Sequence, residues 1–322
     1  MNVLLMYYGT PYEERELEAY YTDIRRGHPP PASLLDELRD RYRRIGKSPL
    51  NEITFSLARK LEAELSRRAP RFVAGLHAAP APRETQSDAR VYVGAKHSAP
   101  FIAGAVRQMA EEGVERAVAL VAAPHYSLRS IAEYRERVDL ALDELGEPPF
   151  EVRFVQEYYT HPGYVAAVAR RVNRALWRVR EPESATVYFT AHSIPLRSVE
   201  ADGGVYPDQV EATARAVARR LGIRRWKVAW QSAGRTDEDW LGPDINDALR
   251  KDAAAGLREA VVAAVGFPAD HLEVFYDLDY EAQQTAVELG VHLVRAESLN
   301  DADDYVALLA DLAEQAWYEE TP

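Results

Sequence analysis

Short apolar runs alternate along the chain with stretches whose apolar residues recur at helical spacing. The runs over 3–8, 91–94, 117–123, 152–156, 186–191, 227–231, 260–265 and 291–294 are nearly continuous in Val, Ala, Leu and Tyr. Runs of that kind suit parallel strands buried on both faces. The amphipathic stretches predict helices over 11–23, 32–45, 52–68, 100–112, 131–145, 162–178, 207–221, 269–289 and 302–318. Regular alternation of the two patterns predicts an α/β fold with parallel sheets and right-handed crossovers. Eight strands are many for one sheet in 322 residues. Two doubly wound, Rossmann-like units are therefore expected, over 1–161 and 162–295. The last helix, within 296–322, is expected to pack back on the first unit. The stretch from His77 to Arg90, which contains Pro80 and Pro82, reads as an exposed excursion.

Ligands of open α/β sheets bind beyond the carboxyl ends of the strands. The residues that follow strands here are Tyr8-Gly9-Thr10-Pro11, Lys96-His97, Pro124-His125-Tyr126-Ser127, His192-Ser193-Ile194-Pro195, Ser232-Ala233-Gly234 and Gly266-Phe267. Neither G-x-G-x-x-G nor G-x-x-x-x-G-K-[ST] occurs among them, which disfavours nucleotide chemistry. His192 puts an imidazole on a tight turn at the functional end of a strand. On this ground a loop hydrogen bond and a functional role are evenly matched. Ser193 beside it lacks the G-x-S-x-G setting of a hydrolase nucleophile.

Composition narrows the classes. A net charge of −12 and a pI near 5.3 argue against a nucleic-acid partner and against an anionic membrane surface. No cysteine is present, so disulfides, thiolate zinc sites and iron–sulfur clusters are excluded. The opening run from Met1 to Met6 reads as a strand and not a leader, and no run reaches transmembrane length. A cytoplasmic protein is expected.

Charge is also distributed unevenly. From Glu259 to Val294 there is no Lys or Arg, yet seven carboxylates. Glu273, Asp277 and Glu281 are spaced four apart, one row on a helix face with steps of about 6 Å. Like charges at that spacing repel. A solvated face is the ordinary outcome for such a row, and a cation site is the alternative. The opposite charge gathers in Arg39, Arg41, Arg43, Arg44 and Lys47, with Arg25 and Arg26 upstream and Tyr42 among them. Part of that island is accounted for by pairing with Asp36, Glu37 and Asp40. Arginine also suits planar carboxylates. One ligand would use a cation site, an anion site and aromatic strand ends together. It is a flat apolar molecule with carboxylate arms that receives a metal ion.

At this point the chain resembles the ferrochelatases. The segments that carry the resemblance are Leu5 through Pro11, Tyr20 through Gly27, Ser48-Pro49-Leu50, Ala191 through Pro195, Tyr206-Pro207-Asp208-Gln209, Trp230-Gln231-Ser232, Trp240 through Pro243 and Asp270-His271-Leu272-Glu273. The Tyr-Gly-Thr-Pro start and the Tyr-rich helix look most like the monomeric coproporphyrin ferrochelatases of Gram-positive bacteria. The resemblance implies a chelatase-like pair of domains around a porphyrin cleft, and insertion of Fe²⁺ into coproporphyrin III. It implies His192 and Glu273 as the catalytic and iron-contacting pair. Tyr8 would lie on the opposite face of the porphyrin. Thr10, Arg25, Arg41, Tyr42, Ser48, Lys96 and Tyr134 would bind the porphyrin, with His97 beside Lys96. Asp277 and Glu281 would form an outer cation site, for Mg²⁺ among others.

No resident cofactor is implied, since Fe²⁺ is a substrate. The implied partners are the porphyrin, Fe²⁺ and, transiently, neighbouring haem-pathway enzymes of a monomer. The chain departs from the family pattern in three places. The excursion at 77–90 is longer than usual, Gly204-Val205 replaces Asp-Pro, and Ala233 stands where relatives often carry Glu. Rival readings are a protoporphyrin IX ferrochelatase, a sirohydrochlorin chelatase and a non-catalytic haem or metal carrier.

Overall fold

The computed structural model describes residues 1–68, 89–146, 149–234 and 236–319. All eight predicted strands form, and they sort into two parallel sheets of four. The first contains β1 (Asn2–Tyr7), β2 (Arg90–Ala95), β3 (Arg116–Val121) and β4 (Glu151–Phe154) in the order β2-β1-β3-β4. The second contains β5 (Thr186–His192), β6 (Trp226–Gln231), β7 (Glu259–Ala263) and β8 (His292–Arg295) in the order β6-β5-β7-β8. The two orders are the same pattern twice. In each sheet the chain first winds one way and then the other, so a crevice opens between β1 and β3 and again between β5 and β7. Doubly wound sheets bind ligands at such points. Tyr8 follows β1 and His192 ends β5, so each stands at a crevice.

The helices are α1 (Leu17–Ile24), α2 (Ala32–Ile45), α3 (Leu50–Arg68), α4 (Ile102–Glu111), α5 (Ile131–Asp143), α6 (Pro162–Leu176), α7 (Leu196–Ala201), α8 (Val205–Leu221), α9 (Ile245–Ala254), α10 (Gln283–Leu289) and α11 (Asp303–Tyr318). The helix predicted over 11–23 divides into a short 3₁₀ turn, Glu14–Glu16, and α1. Glu13 offers no side-chain cap to start a longer helix. The pattern missed α7 and α9. The first is only six residues long. The second is a ten-residue helix that turns Ile245, Ala248 and Leu249 inward.

A larger difference lies in the helix predicted over 269–289. Its first part, Val274–Ala282, is a π-helix that passes directly into α10. Hydrogen bonds from i to i+5 make a wider turn than the α-helical ladder, and such turns concentrate at functional sites. The acidic row therefore stands on a widened turn and not on the α-helix assumed for its 6 Å steps. The excursion expected over 77–90 lies, up to residue 88, outside the described residues.

One apolar cluster runs through both units. Val3, Leu5, Val118 and Leu120 of the first sheet and Val187, Phe189, Val261 and Ala263 of the second belong to it, with residues of α3, α6, α8 and α11. The last helix, α11, lies against α3, β3 and β4, and also against α6. Arg171 of α6 donates to Asp304 Oδ1 at 2.9 Å, and the Tyr158 and Tyr305 hydroxyls are 2.8 Å apart. Two separate clusters fill the outer faces, one under α4 and α5 and one under α9 and the π-helix. No helix among the described residues is long and apolar enough to cross a membrane.

Gly266 lets the loop after β7 close on the end of β5. Its N–H donates to Thr190 O at 3.0 Å. A Cβ placed on it would lie 2.5 Å from the Ala191 Cβ and 2.8 Å from the Ala191 Cα. Tyr164 of α6 pins the same loop by donating to Val265 O at 2.5 Å. Gly266→Ala should therefore cost about 1–3 kcal/mol, the usual penalty for overpacking. The check is the urea midpoint at unchanged m-value; an unaltered midpoint would mean that the loop has room to move.

Candidate active site

The second sheet supplies a carboxylate between two imidazoles. His192, the last residue of β5, donates its Nδ1–H to Ser193 O. That bond leaves Nε2 as the free face of the ring, and Nε2 is 3.6 Å from Glu273 Oε1. His271 repeats the arrangement. Its Nδ1 is 3.1 Å from Ala269 O, and its Nε2 is 3.5 Å from Glu273 Oε2. The Phe267 ring lies beside both imidazoles, with centroids 6.2 Å from His192 and 4.7 Å from His271. Tyr206 donates to His192 O at 3.0 Å and steadies the turn. A neutral Nε2 and a carboxylate are both acceptors. Facing each other, they attract a proton or a cation. Burial opposes charge on His192, but the Glu273 carboxylate outweighs it and raises the imidazole above its ordinary 6.5. Burial likewise favours a neutral Glu273. His192 first, then His271, reverse this and hold it ionised well below the usual carboxylate range.

Asp277 is not at an outer position. It is 4% exposed, because the π-turn directs it at the end of β6. Ser232, in the left-handed region at φ 60°, donates to its Oδ2, and Gln231 Nε2 is 3.5 Å from the same oxygen. Burial and the nearby Glu273 charge push its carboxyl up to about 7. Glu281 stays half-buried. The segment without basic residues draws its countercharge from elsewhere. Arg41 of α2 places NH1 3.7 Å from Asp277 Oδ1, and Arg295 pairs with Asp279 at 2.7 Å and Asp270 at 3.0 Å. Among the described residues, no three His, Asp or Glu groups have the geometry of a metal cage.

The first sheet supplies an aromatic wall. Tyr8 is 38% exposed, and its ring meets the His97 ring edge-on at 4.6 Å. The protein packed around its hydroxyl first, and then the Glu273 charge, raise the Tyr8 phenol above its ordinary 10. The same two effects act on Tyr20 and Tyr42. The carboxylate of one unit is thus within electrostatic reach of the tyrosines of the other. Thr10 Oγ1 and the Tyr42 hydroxyl are 2.7 Å apart. Asn51 holds Thr10 by two bonds, receiving from its N–H at 3.2 Å and donating to its carbonyl at 2.8 Å.

Lys96 differs from a free carboxylate binder. It is 2% exposed, pairs with Glu133 and donates to Arg129 O at 2.9 Å. Its ammonium lies 5.7 Å from the Tyr8 ring centre and 5.2 Å from that of Tyr134, so it acts through those rings. His97 is pushed down to about 4 by burial and by Lys96, against the pull of Asp23 2.5 Å from Nδ1. Ser48 is buried with its Oγ unpartnered. Arg25 is peripheral, its Nε 3.3 Å from His28 O.

A family model described as Ferrochelatase matches residues 1–317. The chain belongs to the ferrochelatase family. It is 58% identical to the ferrochelatase of Thermus thermophilus, over 98% of this chain and 99% of that one. It is 40% identical to the coproporphyrin III ferrochelatase of Geobacillus kaustophilus, over 99% and 96% of the two chains. The protein is a porphyrin metal chelatase, an iron-using lyase of haem biosynthesis. Solved structures add the fold. SirB from Bacillus subtilis with Fe³⁺ superposes with a TM-score of 0.59 at 9% identity, over 98% of this chain and 94% of that one. The sirohydrochlorin chelatase SirB in complex with cobalt gives a TM-score of 0.56 over the same shares.

In this ferrochelatase the residues brought together are His192, Glu273, Asp277, Arg41, Tyr8, Thr10 and Tyr42. Sequence reasoning left His271, Gln231, Ser232 and Phe267 without roles. His271 had a signal, two residues before Glu273 in a quoted segment. Ser232 had only its place after a strand. The His192–Glu273 pair sets a titration. His192 should titrate above 6.5 in histidine NMR spectra, and in Glu273→Gln it should fall, because burial is then opposed only by the Ser193 carbonyl and the Asp277 charge. A folded value above the unfolded one adds stability that is full below about pH 6.5 and is lost as pH rises through the folded value. A His192 shift unchanged in Glu273→Gln would remove the electrostatic account.

Proposed function

We propose that this enzyme inserts Fe²⁺ into coproporphyrin III to give Fe-coproporphyrin III. The observation that carries the chemistry is Glu273 set between the Nε2 atoms of His192 and His271, opposite the Tyr8 wall. Metallation breaks two pyrrole N–H bonds and forms bonds from iron to the ring nitrogens. Two protons leave and iron remains Fe²⁺. Imidazole and carboxylate ligands hold Fe²⁺ weakly among divalent ions, which suits an ion that must pass to the ring. In this reading His192 and Glu273 contact the iron on one face, and His192 accepts a pyrrole proton. A carboxylate kept ionised beside it stabilises the resulting imidazolium. Tyr8 backs the other face of the macrocycle. Arg41, Arg25, Thr10, Tyr42 and Ser48 meet the carboxylate arms, and Lys96 and Tyr134 stiffen the wall behind Tyr8.

Coproporphyrin III as the porphyrin is supported by relatives of that name at 40% identity over nearly the whole chain. The 58% relative is named only a ferrochelatase, so protoporphyrin IX is the second reading. An outer hydrated cation such as Mg²⁺ would meet Glu281 first, since Asp277 lies deeper. We place the enzyme in the cytoplasm as a monomer that meets other haem-pathway enzymes transiently, with no resident cofactor.

His192→Ala should lower anaerobic Fe²⁺ insertion by at least about 10²-fold, the lower range for a lost general base, while coproporphyrin III still quenches tryptophan fluorescence with wild-type affinity. Full turnover by that variant would end the assignment. Parallel insertion assays should give coproporphyrin III the higher kcat/KM, and the reverse order would favour protoporphyrin IX.

A further inference from the structure

One face of α8 is both polar and buried. Tyr206, Gln209 and Thr213 stand three and four residues apart on one side of the helix, and all three are buried. That face meets the first unit. Gln209 Oε1 accepts the Tyr126 N–H at 2.7 Å, and its Nε2 is 3.3 Å from Glu157 Oε1. The Thr213 hydroxyl lies 2.9 Å from Tyr159 O and 3.2 Å from Gln209 O, so its one hydrogen goes to a carbonyl. Its oxygen therefore receives the hydrogen of His125 Nε2, 2.9 Å away. His125 is buried as well, and burial pushes its ring down to about 3, so it stays neutral. Its Nδ1 has no hydrogen-bond partner among the described residues. A bare buried acceptor is destabilising. Filling space thus gives no reason for an imidazole here, whereas the bond to Thr213 does.

Tyr206 carries that contact into the second unit. Its ring stands edge-on to the His125 ring with centroids 6.3 Å apart, and tilts against Trp230 at 5.6 Å. Its hydroxyl donates to His192 O at 3.0 Å. Backbone groups along β5 turn alternately to its two neighbours. Thr190 O receives the Gly266 N–H beyond β7, and the Ser193 N–H reaches Gln231 O on β6. His192 O therefore points to the β7 side, where strand pairing has ended at Phe189 and Ala263. Tyr206 supplies its donor. Locally the start of α8 is weakly specified. Gly203 and Gly204 lead into it at φ 72° and 84°, and no side chain caps it. The far face of the helix thus weighs more in placing Tyr206. We propose that Tyr206 is a positioning residue for His192, and that His125 and Thr213 fix Tyr206 from the first unit. With the His192 carbonyl held, Ser193 O stays within reach of Nδ1 and Nε2 stays turned to Glu273. The consequence for catalysis rests on the reading above that His192 acts in insertion.

The test reads the imidazole and the reaction separately. Histidine nitrogen NMR of the whole protein, with no metal or porphyrin added and at a pH above the titration of the ring, reports the tautomer. Wild-type His192 should be Nδ1–H alone, and Tyr206→Phe should show a mixture of both tautomers. Tyr206→Phe should also lower kcat for anaerobic Fe²⁺ insertion about tenfold or more, within the scale for a displaced catalytic group, with KM for coproporphyrin III unchanged. His125→Leu should reproduce both effects. His125→Gln, whose amide can donate to Thr213, should restore the wild-type tautomer and kcat. Thr213→Val removes the same bond and serves as the second variant where His125→Leu does not fold. Tyr206→Phe combined with His125→Leu should lower kcat no further than Tyr206→Phe alone, because both act along one path. An unmixed Nδ1–H tautomer in Tyr206→Phe overturns the proposal. So do losses that multiply in the double variant, or a His125→Gln enzyme as impaired as His125→Leu. Mixed tautomers with kcat unchanged would uphold the positioning and fault the reading that His192 acts in insertion, which the His192→Ala assay judges by itself.

Discussion

Glu273 carries its charge half-buried, in a segment that offers no Lys or Arg. A carboxylate in that position either takes a proton or finds positive partners. Here it finds two imidazoles, both turned toward it because their Nδ1 atoms face backbone carbonyls. Much of the surrounding electrostatics follows from that choice. His192 is raised, Asp277 is kept from ionising fully, and the tyrosines of the facing unit hold their protons more firmly. Burial is the larger cause for Asp277 and for Tyr8, and the Glu273 charge adds to it in both units.

The fold exists to hold that carboxylate still. His192 is the end of a central strand, Glu273 opens the helix after the next strand in the sheet, and the loop between β7 and that helix is pressed against β5 at Gly266. The π-turn widens the helix and brings Asp277 to Ser232 at the end of β6. Three strand ends of one sheet therefore meet around Glu273 and Asp277. The other side comes from the matching crevice of the first sheet. The shared apolar cluster and the Arg171–Asp304 bond between α6 and α11 tie the two halves together, so the separation across the cleft is held by packing on both sheets.

Legibility varied with the range of the physics involved. The strands were readable because burial on both faces forces continuous apolar runs, and the place of His192 was readable because strand ends are where side chains leave a sheet. The acidic row was visible as an anomaly, but its meaning was not. The positive charge beside Asp277 comes from Arg41 of α2, far away in sequence, and no local pattern announces a pairing across the fold. The π-turn was equally hidden, since its spacing of apolar residues resembles that of an α-helix over so short a run. Lys96, implied by the resemblance to bind the porphyrin, is a buried cation, because Glu133 comes to it from α5.

By itself, then, the sequence determined the alternation of strands and helices, the doubling of the sheet pattern, the absence of thiolate chemistry and the residue types of a porphyrin-metallating family. These depend on local periodicity and composition, which a linear chain displays. Only the tertiary structure decided which acid lies inward, which arginine lies beside it, and which imidazole face is free. Those outcomes depend on distances between groups far apart in sequence and on how much water each retains, quantities that exist only once the two sheets have packed.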